Sequence, residues 1–105
     1  MEYIKIIVNI IEKKKVTAKA IKEPGKYKVI ICNDDTTSIE FVISMLMCVF
    51  NHDEPTATKL TMTIHEQGSA TAGIYAYEIA EQKGIDATEM AQEYNFPLVV
   101  KITAE

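Results

Sequence analysis

Residues 27–51, YKVIICNDDTTSIEFVISMLMCVFN, hold the signals from which the architecture of the chain can be read. Tyr27 to Cys32 is a short run rich in β-branched residues, the pattern of a strand buried inside a sheet. Asn33, Asp34 and Asp35 end it, because such side chains bond to nearby backbone and favour turns. Thr37 followed three residues later by Glu40, just ahead of FVISMLMCVF, has the spacing of a capping box, in which hydroxyl and carboxylate satisfy each other's orphan backbone N–H groups. The spacing predicts a helix from Ser38 to about Asn51 in which only Ser38, Glu40, Ser44 and Asn51 are polar. That is more apolar surface than one core stripe requires, so part of it is expected to face something other than the domain's own core.

Downstream, Asp53 caps a second helix from Glu54 to about Glu66, with Pro55 in its first turn and Gly68 at its exit. SATAGIYA, alternating at Ala70, Ala72 and Ile74, fits a second strand. Ala76, Ile79, Ala80, Lys83, Ala87, Met90, Ala91 and Tyr94 then keep helical spacing, which predicts one long helix. A break near Gly84 is the alternative, since Gly costs a helix about 1 kcal/mol relative to Ala and Asp86 with Glu89 could cap a separate piece. Pro97 stops the helix and LVVKI forms the last strand. The expected fold is α+β: a small antiparallel sheet of about three strands with three helices, in the order β-α-α-β-α-β. Residues 26–105 form this domain, and residues 1–25, with YIKIIVNII, a lysine-rich stretch and a closing Pro24-Gly25, read as an N-terminal extension.

Charge divides the chain at the same place. Residues 1–28 hold eight lysines against three glutamates, and residues 29–105 hold three lysines against twelve acids. An acidic body without a single arginine is a poor partner for a nucleic-acid backbone and favours cationic ligands. No apolar run approaches the ~20 residues of a membrane span, and MEYIK lacks the basic start of a secretory signal. The simplest compartment is therefore the cytoplasm, bacterial or that of a processed plastid form. Cys32 and Cys48, sixteen residues apart, make no zinc framework and no CxxC pair, and are expected as reduced core cysteines.

Catalytic motifs are absent from the sequence: no GxSxG, no HExxH, no P-loop glycine pattern and no base placed to activate a cysteine. NDDTTSIE also lacks the alternating acids and central glycine of an EF-hand calcium loop. No metal site, cofactor or enzymatic activity is expected. The polar features that remain are Asn33-Asp34-Asp35, readable as an ordinary turn, and His65, which shares a helix face with Thr58 and Thr61 and suits a helix C-terminus.

Taken together, NDD after a strand, Thr37 before Glu40-Phe41-Val42, the His65-x-x-Gly68 turn, Tyr75-x-x-Glu78-x-Ala80-Glu81-x-Lys83 and Pro97-Leu98 resemble the ClpS family of N-degron adaptors, over about Lys26 to Glu105. The resemblance implies a protein that binds substrates with a bulky hydrophobic first residue (Phe, Tyr, Trp or Leu) and delivers them to the N-terminal domain of a ClpA or ClpC unfoldase. Asn33, Asp34 and His65 would then surround the free α-amino group. Thr37, Ile39, Val42, Thr61, Ile64 and Leu98 would form or edge the side-chain pocket, Glu78 and Lys83 would dock the unfoldase, and the extension would assist delivery. Physical chemistry agrees with such an assignment: a buried ammonium carries three donors and no acceptor, so it needs oxygens or an imidazole nitrogen around it and a carboxylate to offset its charge.

Ile39 and Thr61 depart from the methionines usual in the family at these positions, which bears on the ranking of first residues. Another class of protein shares the order of elements, a protein-interaction module like the C-terminal domain of the ribosomal stalk protein. That module works through a lysine-bearing helical surface and has no need of an NDD cluster beside a distant histidine.

Overall fold

The computed structural model describes residues 25–105. Their elements are β1 (Tyr27–Cys32), α1 (Ile39–Phe50), α2 (Glu54–Gln67), β2 (Ser69–Tyr75), α3 (Tyr77–Glu93) and β3 (Val99–Ala104). The α+β order β-α-α-β-α-β is the one read from the sequence. The extension, including YIKIIVNII, falls outside the described residues except for Gly25.

β1 is the central strand of a three-stranded sheet ordered β2-β1-β3, antiparallel to both neighbours. Its position explains its composition. Val29 and Ile31 face the core and are wholly buried, while Lys28, Ile30 and Cys32, on alternate positions, stay half-buried. With them the core gathers Phe41, Met45 and Leu46 of α1, Ala57 and Ile64 of α2, and Ala80, Ala87 and Ala91 of α3. The small residues of α3 let it lie close to the sheet. Gly84 is the extreme case, because a Cβ there would stand 3.1 Å from Cδ1 of Ile102 in β3. The glycine serves close packing, and α3 runs through it unbroken.

Several local expectations are corrected. Ser38, not Thr37, is the N-cap of α1, its hydroxyl accepting from Phe41 N–H at 3.1 Å. The Thr37 hydroxyl is held by Asp34, to which it donates at 2.6 Å, so the next hydroxyl along takes over the cap. β2 does not alternate regularly. Its register against β1 shifts between Val29 and Ile30, and this bulge sets Ile74 opposite Lys28 on the outer face, 43% exposed, while Ala72 stays buried. Neither cysteine belongs to the core: both are free thiols, Cys32 half-buried and Cys48 exposed. Cys48 follows Glu40 and Ser44 at steps of four along the outer face of α1, and all three are exposed.

α2 keeps its expected punctuation. Asp53 accepts from Thr56 N–H at 3.0 Å, Pro55 sits in the first turn and Gly68 closes the helix with φ of 92°. The hydrogen bonds that Asp53 accepts from Thr56 hold its carboxyl below the usual carboxylate range. No helix among the described residues is long and apolar enough to cross a membrane.

Candidate functional site

Where β1 leaves the sheet, the chain must turn back to start α1, and the turn is organised by one side chain. Oδ1 of Asp34 accepts the backbone N–H of Thr36 at 2.8 Å and that of Thr37 at 2.7 Å, and Oδ2 accepts the Thr37 hydroxyl. One residue earlier, Asn33 N–H donates to the carbonyl of Gly68 at 2.9 Å, which fastens the exit of β1 to the turn between α2 and β2. Gly68 N–H in turn donates to Ile64 at 2.9 Å, closing the last turn of α2, the turn that carries His65. A short series of backbone bonds thus brings Asn33 and His65, thirty-two positions apart, to one rim.

Between this loop and the two helices lies a cleft of about 460 Å³. Ile39, Val42, Thr61 and Ile64 supply apolar wall, and Asn33, Asp34, Thr37 and His65 supply polar rim. Eight of the nine residues assigned to substrate in the sequence analysis therefore meet here. Leu98 is not among the lining residues: it is 1% exposed, within the core cluster. Asp35, Thr36, Ser38 and Glu40 also line the cleft without a substrate role in the sequence reading, although they belong to the same NDDTTSIE stretch. The excess apolar surface of α1 is partly accounted for, since Ile39, 43% exposed, opens onto the cleft together with Val42. Met47, 38% exposed, is not among the lining residues.

Thr61 is 3% exposed, and its hydroxyl donates to the carbonyl of Ala57 at 2.7 Å. This settles which way its polarity turns. The proton is committed to its own helix, so toward the cleft Thr61 offers a short, methyl-bearing wall and an oxygen that can accept but not donate.

The electrostatics of the lining are one-sided. Three carboxylates, Asp34, Asp35 and Glu40, stand on it with no lysine among them. Such a cleft suits a ligand that is apolar at one end and cationic at the other. Among the described residues no group of three His, Cys, Asp or Glu side chains is arranged to hold a metal ion.

The two residues assigned to docking lie elsewhere, on α3. Glu78 is exposed in the first turn, where its charge faces the positive end of a helix whose N-cap, Ala76, has no capping side chain. Lys83 is half-buried, and its ammonium donates to the carbonyl of Val49 at 2.7 Å.

The chain is similar to known proteins of one kind. The family model described as ATP-dependent Clp protease adaptor protein ClpS matches residues 22–101. The ATP-dependent Clp protease adapter protein ClpS of Sodalis glossinidius is 44% identical over 80 residues, covering 76% of this chain and 76% of that protein. Its namesake from Acetivibrio thermocellus is 38% identical over 92 residues, 88% of this chain and 93% of the relative. Among solved structures, Agrobacterium tumefaciens ClpS2 bound to L-phenylalaninamide superposes with a TM-score of 0.76 at 40% identity, covering 79% of this chain and all of that one. The ribosomal-stalk reading, which rested on order of elements alone, gives way, and the chain belongs to the ClpS family of ATP-dependent Clp protease adaptor proteins.

Proposed function

We propose that the cleft receives the first residue of a substrate protein, reading its free α-amino group and its bulky apolar side chain, and that the protein then hands the substrate to a ClpA- or ClpC-type unfoldase. The observation that carries this reading is the union, in one cleft, of an apolar wall and a carboxylate-rich rim without a lysine or arginine. L-phenylalaninamide, the ligand of the Agrobacterium relative, has the same two ends: an aromatic ring and an amino group.

Residue by residue, the chemistry divides as follows. A carboxylate offers about four acceptor sites, and the turn uses three of those on Asp34, two at Oδ1 and one at Oδ2. Oδ2 therefore keeps room for one ammonium proton. The Asn33 side-chain oxygen and an imidazole nitrogen of His65 take the other two. The first side chain lies along Val42, Ile64 and Thr61, with Thr37 and Ile39 at the edge and Leu98 backing the pocket from the core. Phe, Tyr, Trp and Leu are the substrates of this shape. No step of the cycle calls for catalysis by this chain.

Delivery uses α3, where Glu78 and Lys83 mark the face toward the unfoldase N-terminal domain, assisted by the extension before Lys26. The test is reconstitution with a Clp unfoldase and ClpP. A reporter beginning with Phe should be degraded faster when the protein is added, and one beginning with Ser should not. Glu78→Ala should lower that gain while leaving Phe-peptide affinity unchanged. Equal stimulation of both reporters, or none of either, overturns the proposal.

A further inference from the structure

One side chain in the short connection between α1 and α2 reaches the sheet. Asn51 leaves α1 in the left-handed conformation, at φ of 59°, His52 N–H returns to the carbonyl of Leu46 at 3.2 Å, and Asp53 caps α2. His52 therefore closes one helix and directly precedes the cap of the next, which holds its backbone in place. Its imidazole Nε2 lies 2.6 Å from the carbonyl oxygen of Ala72 in β2. A carbonyl oxygen can only accept, so Nε2 carries the proton and donates. Ala72 is the residue that the bulge leaves without a counterpart on β1, and β2 is an edge strand of the sheet. The bond thus ties the helix connection to the irregular point of an edge. Packing alone holds α2 less firmly than its neighbours. Of its fourteen residues only Ala57, Thr61 and Ile64 are buried, where α1 buries Phe41, Val42, Met45, Leu46 and Phe50. Its C-terminal end is fastened through Gly68, whose carbonyl accepts from Asn33 N–H at 2.9 Å, and its N-terminal end through His52. Thr61 and Ile64, the apolar part of the cleft wall that α2 supplies, lie between the two fastenings.

We infer that His52 is a positioning residue for the cleft: its Nε2–H bond to Ala72 pins the N-terminal end of α2 to β2 and so sets where Thr61 and Ile64 stand. A helix fastened at one end only pivots about that end, and a side chain as small as that of Ala57 offers few atoms to resist the movement. Without the bond α2 swings about Gly68, the pinned arrangement becomes one of several, and apparent affinity falls with the fraction of molecules that keep it. The half-buried setting of His52 strengthens the bond relative to a solvated one. The effect on ligand affinity rests on the reading of the cleft as the seat of the first residue; the pinning itself rests on the geometry.

The experiment compares His52→Phe, which keeps a ring and loses the donor, with His52→Gln, whose side-chain amide can donate to the same carbonyl. Readouts, all taken well below the thermal midpoint of each variant, are the protonation of the two imidazole nitrogens by NMR, the methyl signals of Thr61 and Ile64 with Val29 as a reference in the sheet, and the affinity for a Phe-starting peptide. In the wild type the proton should sit on Nε2 and show coupling across the bond to the Ala72 carbonyl carbon. His52→Phe should move the Thr61 and Ile64 signals, leave that of Val29 in place and weaken the peptide by roughly two- to tenfold, the range one neutral bond allows. His52→Gln should restore signals and affinity to within about twofold of the wild type. A proton on Nδ1 in the wild type, unmoved Thr61 and Ile64 signals in His52→Phe, or a loss of affinity that His52→Gln does not restore would each overturn the inference. Should His52→Phe fail to fold, His52→Asn takes its place, since its amide is too short to reach the carbonyl, and the same outcomes apply. If the wild-type protein binds no Phe-starting peptide, the reading of the cleft fails, while the imidazole and methyl signals still decide whether His52 pins α2.

Discussion

Acetylating the N-terminus of a Phe-starting peptide removes its positive charge and two of three donors, and the structure sets how much that should cost. Asp34 takes bonds from Thr36 N–H at 2.8 Å, Thr37 N–H at 2.7 Å and the Thr37 hydroxyl at 2.6 Å, all from within its own turn. The carboxylate is consequently never left bare, and the large penalty of an orphaned buried charge does not apply. What disappears is the charge-assisted bond at Oδ2 and one of the two bonds to Asn33 and His65, both exposed and able to recover partners from water. One charge-assisted bond and one neutral one amount to about 2–4 kcal/mol, or roughly 30- to 700-fold in Kd. Calorimetric titration of free and acetylated peptides measures it directly. A peptide α-amino group titrates near pH ~8, and the protonated form is the one that binds, so affinity should fall above that pH toward the acetylated value. In a cycle with Asp34→Asn, the free peptide should lose affinity and the acetylated one should not. Acetylated and free peptides binding within about threefold of each other, or an additive cycle, would refute the reasoning.

Thr61→Met should weaken Trp more than Leu at the first position, because the shorter Thr leaves depth; peptide titrations giving the same order in both proteins count against Thr61 as a specificity residue. Gly84→Ala gains about 1 kcal/mol of helix propensity but sets a methyl 3.1 Å from Cδ1 of Ile102. Urea denaturation should show a net change below ~1 kcal/mol, with Ile102→Val costing less in the Gly84→Ala background than alone. Tyr77, buried with its hydroxyl pushed up to about 12, first by burial and then by the charges of Glu81 and Tyr27, is neutral in the folded state where the unfolded chain ionises near 10. The unfolded state therefore binds fewer protons between these values, stability falls as pH rises through that window, and Tyr77→Phe should flatten the decline in alkaline melts.

What could be read beforehand was local. Asp53, Pro55 and Gly68 act within a turn of where they stand, and each appears in the structure in its expected place. Thr37 and Ser38 show the limit: two adjacent hydroxyls both fit a cap, and the choice was made by Asp34, whose turn holds the first of them. The bulge at Ala72 is another case, because an alternating pattern on one strand does not reveal that the neighbouring strand pairs out of step. Lys83 and Leu98 depended wholly on distant partners. A lysine on an amphipathic helix looks solvated until the carbonyl of Val49, thirty-four positions away, comes into reach. Family resemblance supplied what spacing could not, the pairing of NDD with His65, and the bond from Asn33 to Gly68 gives the physical reason the two converge.

Asn33-Asp34-Asp35 reads in the sequence as either a turn or a binding cluster, and the geometry makes it a turn that lines the cleft. Asp34 builds the turn with three of its acceptor sites, and those same bonds fix the orientation of the site that remains. A ligand would then order little on arrival, which is the main route by which a small polar site gains affinity. The carboxylates have a further task. Ser38, Ile39 and Glu40 bring the N-terminus of α1 to the cleft, and the positive end of a helix repels an ammonium. Ser38 answers part of that field by accepting from Phe41 N–H, and Glu40 in the first turn answers more. From the opposite side Ile64 and His65 present the last turn of α2, whose carbonyl end is negative and favours a cation. An amine entering between these two ends meets one helix whose field is neutralised and another whose field attracts it. Asp35 and Asp34 add net charge at the point where the chain leaves the sheet. The acidity of the rim is thus what allows a cleft beside a helix N-terminus, ordinarily a place for anions, to suit a cation.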